Sequence, residues 1–114
     1  MKDAAVFLQH IRDAIVRIEA YTSHGRQAFL ADTMVQDAVI RNLEVIGEAV
    51  KNLPLALRQR HRQIPWRSIT ALRNVLIHEY FGVDIEIVWR VVDRRLPALK
   101  RHVDSMLGDS KRAR

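Results

Sequence analysis

The chain has 114 residues and no cysteine, and its 19 Lys and Arg against 13 Asp and Glu give a formal charge of +6. That length fits one domain with its own core, and without thiols neither disulfides nor thiolate zinc sites can form. No apolar stretch approaches the roughly 18 residues of a membrane span, and Asp3, His10, Arg12 and Asp13 interrupt any apolar signal core, so a cytoplasmic protein is expected.

Phe7, Leu8, Ile11, Ile15 and Ile18 recur at three- and four-residue steps, which predicts a helix over 4–23. Thr22-Ser23-His24-Gly25 then reads as a stop, with a glycine suited to a left-handed cap. A second helix is expected from Asp32-Thr33 to about Asn52, where Thr33-x-x-Gln36 has the spacing of a capping box. Its apolar stripe is Val35, Val39, Leu43, Ile46, Val50 and Leu53. Gly47 inside it costs roughly 1 kcal/mol against Ala unless a neighbouring backbone packs there. Pro54 can open a short helix to about His61. After Ile64-Pro65-Trp66 a further helix is predicted from Trp66 to Phe81, ended by Gly82. Asp84 is a good N-cap for the last helix, Ile85 to about Met106, which Pro97 should kink or split. The period never becomes two. The reading is an all-α antiparallel bundle of four to five helices over residues 1–108, followed by a polar, basic, frayed tail over 109–114.

Charge is unevenly spread. Residues 49–78 hold Lys51, Arg58, Arg60, Arg62, Arg67 and Arg73 and no acid, so the whole surplus can be assigned to this stretch. Such a field attracts polyanions. It makes Arg58, Arg60, Arg62 and Arg67 candidate RNA contacts, against the plainer alternative of a solvated basic face.

The same stretch runs into Arg73-Asn74-Val75-Leu76-Ile77-His78-Glu79-Tyr80. Arginine offers a planar fork of donors that fits a phosphate. Histidine is the side chain able to both take and give a proton near neutral pH. Tyrosine can stack on a base or offer a hydroxyl. On an ideal helix Asn74 and His78 share one face, and Arg73, Ile77 and Tyr80 another. Arg73 and His78 lie about 140° apart around the axis, so one straight helix does not aim both at one phosphate. A two-fold dimer would resolve this by doubling the groups in one cleft. A structural role is the alternative, with Arg73 paired to an acid and His78 capping a carbonyl. Elsewhere, His10, His24, His61 and His102 are scattered, with no metal-ligand spacing and no metal expected. Glu44 and Glu48 are four apart, as paired carboxylates can be, but are expected to meet cations on a neighbouring helix.

Arg, four to six residues, His, one residue, Tyr resembles the signature of HEPN domains. The text from Gln36 to Ala49, Ile64-Pro65-Trp66-Arg67, the run Arg73 to Asp84, Ile87-Val88-Trp89 and Leu96-Pro97 resembles the HepT-type branch. The likeness covers roughly residues 3–105, although Leu57–Gln63 is more basic than the family pattern. The resemblance implies a helical bundle that dimerises through the motif helix, with the motif in a cleft between protomers. It also implies a toxin that cleaves RNA without a metal or other cofactor, and a minimal nucleotidyltransferase antitoxin as partner, able to transfer AMP to the tyrosine matching Tyr80. Arg73 and His78 would carry the chemistry, supported by Asn74 and Tyr80. The alternative is a non-catalytic helical module that binds RNA or serves as docking partner and substrate of the nucleotidyltransferase.

Overall fold

Apolar residues at helical spacing turn one face of each segment inward, and the chain accordingly folds as helices around one core. The computed structural model describes residues 4–78 and 82–112. Among them are seven helices and no strand: α1 (Ala4–Tyr21), α2 (Arg26–Ala31), α3 (Thr33–Lys51), α4 (Leu55–Arg60), α5 (Trp66–His78), α6 (Ile85–Arg94) and α7 (Leu96–Arg112). None of these helices is long and apolar enough to cross a membrane.

Helix α3 is the hub. It packs against α1, α2 and α5, while α7 lies on α1 and α6. Its stripe of Val39, Leu43, Ile46 and Val50 is buried against Leu8, Ile11, Ile15 and Ile18 of α1. Removing any one of these large side chains would cost about 2–5 kcal/mol. Ion pairs tie the periphery: Arg12 to Asp104 at 2.8 Å and Lys100 to Glu19 at 3.0 Å set α1 antiparallel to α7, and Arg26 joins α2 to Glu86 of α6 at 2.6 Å. These exposed pairs fix register more than they stabilise.

Several local expectations are met for the reasons given. Gly25 takes the positive φ expected of it, 90°, a conformation other residues avoid, but with ψ at −173° it is not a left-handed cap of α1 and instead precedes α2 as its N-cap. Asp84 caps α6 by accepting from the Glu86 amide at 2.9 Å. Pro97 splits the expected last helix, and α6 ends at Arg94 where α7 begins at Leu96. Trp66 is core, its indole N–H shared between the Arg58 and His61 carbonyls at 3.1 Å each, which locks α4 onto the start of α5.

Other expectations are corrected. Helix α2 lies in what reads as loop. The cap of α3 is Asp32, whose carboxylate accepts from the Met34 and Val35 amides at 3.0 and 3.2 Å. The expected Thr33–Gln36 box does not form; Gln36 instead donates to the Phe29 and Leu30 carbonyls, closing the end of α2. Helix α7 runs to Arg112, so the expected frayed tail is helical through that residue. The predicted C-terminal end of the motif helix, together with Tyr80, lies outside the described residues.

Candidate active site

Gly47 decides where Arg73 sits. A methyl group built on Gly47 would overlap Cβ of Arg73 and lie 2.7 Å from its Cγ and 3.5 Å from the Ile69 carbonyl oxygen. Only a residue without a side chain lets α5 approach α3 this closely. The arginine stem therefore lies along α3, and its head meets the next residue of that helix: Nη2 donates to Glu48 Oε2 at 2.9 Å. On its other side Nη1 donates to Asn74 Oδ1 at 2.9 Å. Nε is buried and has no hydrogen-bond partner among the described residues. The Arg73 side chain is 23 % exposed and the Glu48 side chain 52 %. The Arg73 side chain is thus about three-quarters buried, with Nη donors left over for an anion.

Arg73 and Ile77 form one wall of a cavity of about 300 Å³. Phe7 and His10 of α1 form the opposite wall, and Arg41, Glu44, Val45, Glu48 and Ala49 of α3, with its C-cap Asn52, form the floor. Asn74 and His78 are exposed and do not line it. The angular separation expected on an ideal helix is therefore present: within one protomer Arg73 turns to α3 and His78 turns to solvent. Asn74, expected to support the chemistry, accepts from Arg73 Nη1.

His10 is the functional candidate that reading the sequence missed. It seemed scattered because 63 residues separate it from Arg73, but α1 and α5 flank α3 and bring the two to one cavity. Glu48 pairs with a neighbouring helix as expected; among the described residues Glu44 meets only Arg41 of its own helix, at 3.6 Å. Among the described residues no group of three His, Asp or Glu converges to hold a metal ion.

Of the basic segment, Arg60, Arg62 and Arg67 are exposed and Arg58 is half-buried. None of the four forms an ion pair among the described residues. A larger cavity of about 630 Å³ lies between α3–α5 and α6–α7, with an aliphatic floor and Arg90, Arg94, Arg95 and His102 around it. It contains no residue of the Arg73–His78 motif, so the smaller cavity is the one joined to the candidate chemistry.

With this geometry in place, comparison with known proteins becomes decisive. Residues 11–106 match the family described as "Ribonuclease HepT-like". The chain belongs to the HepT-like ribonuclease family. It is 45 % identical over 95 residues to "Probable ribonuclease HepT" of Thermococcus cleftensis, covering 82 % of this chain and 86 % of that protein. It is 38 % identical over 112 residues to "Putative RNase TTE0752" of Caldanaerobacter subterraneus subsp. tengcongensis, covering 97 % of this chain and all of the other. Similarity of 43 % over 103 residues extends to "Gamma-glutamylcyclotransferase and putative RNase MJ0434" of Methanocaldococcus jannaschii. That match takes in 90 % of this chain but 46 % of the other, so the chain spans about half of that relative. No solved structure matches significantly. The HepT-like resemblance of the motif blocks is thus borne out at the level of the family.

Gly47→Ala tests the close approach. Helix propensity favours Ala by about 1 kcal/mol, whereas overpacking costs typically 1–3 kcal/mol. The atom in the way is a Cβ fixed to backbone, so the overlap should win. Urea denaturation should show a net loss of roughly 1 kcal/mol; a variant more stable than the parent would contradict the packing described.

Proposed function

We propose that this HepT-like protein is a metal-independent endoribonuclease acting as a homodimer, with Arg73 and His78 combined across the two-fold axis. The observation that carries the reading is the fixed Arg73 guanidinium, braced by Glu48 and Asn74, in a chain of a ribonuclease family whose next ionisable motif residue is the exposed His78.

The chemistry follows from RNA itself. His78 of one protomer would take the proton of a 2′-hydroxyl. The resulting oxyanion attacks the adjacent phosphorus, forming a 2′,3′-cyclic phosphate and breaking the bond to the 5′-oxygen. The leaving 5′-oxygen would take its proton from water, so each composite site needs one His78 and the partner protomer's Arg73. Arg73 would hold the phosphate and the charge that builds on it. Exposed arginines of the 58–67 segment would track the backbone.

The regulatory part of the reading rests on the family resemblance. A minimal nucleotidyltransferase antitoxin would transfer AMP from a nucleoside triphosphate to the Tyr80 hydroxyl, releasing pyrophosphate. The added phosphate would bring negative charge and bulk to the motif and silence the toxin.

A second reading is favoured by the outward turn of His78 away from Arg73: a helical RNA-binding or docking module without turnover. Mixing decides between them. Arg73→Ala and His78→Ala homodimers should each be inactive on RNA in EDTA yet keep their helical signal, and co-refolded heterodimers should regain activity through the composite site. Heterodimers as dead as either parent would sink the shared site, and a wild-type protein that leaves RNA intact would favour the docking module.

For binding, replacing Arg60, Arg62 and Arg67 with Gln should flatten the log–log salt dependence by up to about 2, since each phosphate neutralised on a single strand contributes ~0.7. An unchanged slope would assign these arginines to another surface. For control, Tyr80→Phe keeps the ring but removes the acceptor oxygen. Co-expression with a nucleotidyltransferase antitoxin should add one AMP to the wild type and none to this variant; a mass gain in Tyr80→Phe would place the acceptor elsewhere.

A further inference from the structure

The cavity beside Arg73 holds an acceptor without a donor. The Glu44 side chain is 18 % exposed, and its nearest cation, Arg41 Nη1, stands at 3.6 Å, outside hydrogen-bonding length. No donor among the described residues bonds it. Its oxygens keep some contact with water, and a ligand bringing paired N–H groups would replace that water with fixed donors. Glu48, one turn along the same floor, commits Oε2 to Arg73, and its Oε1 accepts no hydrogen bond among the described residues.

The walls say which kind of ligand. On α1 the rings of Phe7 and His10 meet edge to face, centroids 6.2 Å apart at 86°. Such a ring pair offers a surface for a flat, apolar-faced group. Across from it stands Arg73, with Arg41 on the floor. A volume of about 300 Å³ lies at the small end of ligand sites, enough for one flat ring system and too small for a peptide segment or a helix. Metal ions are disfavoured, since no three ligating side chains converge among the described residues.

We propose that this trough between α1 and α5 is a nucleobase subsite selective for guanine, receiving the base next to the phosphate held by Arg73. Guanine is the RNA base whose Watson–Crick edge carries two adjacent donors, N1–H and the N2 amino group, and these match the two oxygens of the Glu44 carboxylate. Adenine and cytosine present a single amino donor there, and uracil a single imino donor. Unpaired RNA bases are commonly read in this way, by stacking and by hydrogen bonds to that edge. The placement next to a scissile phosphate rests on the nuclease reading above; the guanine preference does not.

The test separates the two. The full chain is titrated with 3′-GMP, 3′-AMP, 3′-CMP and 3′-UMP, followed by NMR shifts of the Phe7, His10, Val45 and Ile77 signals. 3′-GMP should bind about tenfold more tightly than the others, in the range a bidentate base contact discriminates. Glu44→Gln, which keeps shape and removes one acceptor and the charge, should erase that preference, while Arg73→Ala should weaken all four nucleotides alike. A second arm compares the trinucleotides UpGpU and UpIpU, inosine lacking the N2 amino group. Loss of about tenfold with inosine assigns the subsite to RNA; equal binding of the two restricts the trough to free nucleotides and overturns that assignment. Equal affinity for all four mononucleotides, a preference untouched by Glu44→Gln, or shifts centred on Ile87, Val91 and Leu99 overturns the subsite, even if the wild type cuts RNA. A preference confirmed in a protein that cuts no RNA leaves the subsite standing and removes the nuclease reading.

Discussion

The missing side chain at Gly47 is the constraint on which the candidate site depends. A glycine in a helix interior costs about 1 kcal/mol against Ala, and here that cost brings Arg73 onto the surface of α3. An arginine carries about 2 kcal/mol of rotamer entropy. With its stem laid along α3 and its head shared between Glu48 and Asn74, much of that freedom is lost on folding. It need not be lost again when an anion arrives. Nε is buried without a partner among the described residues, so there helix packing has taken precedence over the last hydrogen bond of the fork.

The same approach shapes the space beside it. Because α5 and α1 both pack on α3, the stripe of α3 from Arg41 to its C-cap Asn52 becomes the floor of a trough. Residues of α5 then divide by angle. Arg73 and Ile77 face the trough; Asn74, Val75 and His78 are exposed. On the proposed reading, a protomer that separates a phosphate-holding Arg73 from a proton-carrying His78 is an odd nuclease alone and a reasonable half of one. That asymmetry gives the proposed two-fold site its physical motive, with exposed Val75 and Ile77 supplying apolar surface on the motif helix.

Much of this was legible in the sequence. Helices α1, α3 and α5 follow from apolar periodicity, the split at Pro97 from the loss of a donor, and the α6 cap from Asp84. Helix α2 was not legible, because six residues with one buried side chain, Phe29, give no period to count. The α3 cap was displaced by one residue, since Asp32 and Thr33 are both good caps and tertiary contacts of Gln36 chose between them. At the site, the 140° offset was readable from helix geometry alone. The Glu48–Arg73 pair was readable only as a generic expectation, because 25 residues separate the partners. His10 opposite Arg73 was not readable at all: it depends on which two helices flank α3, a fact of topology that no local pattern carries.

Electrostatics divide the work between the two basic features. The trough holds Arg41 and Arg73 against Glu44 and Glu48, a formal balance of zero, so a phosphate entering it gains little long-range attraction and meets two carboxylates at short range. Affinity for a polyanion must then come from unpaired cations elsewhere, and Arg60, Arg62 and Arg67 are exposed and without an acid partner among the described residues. On the proposed reading the outer arginines gather RNA regardless of sequence, and the neutral trough, where a wrong base leaves Glu44 unserved, supplies discrimination. Phosphate contacts position and base contacts specify. A trough with a strong net positive charge would have bound any phosphate tightly and read nothing.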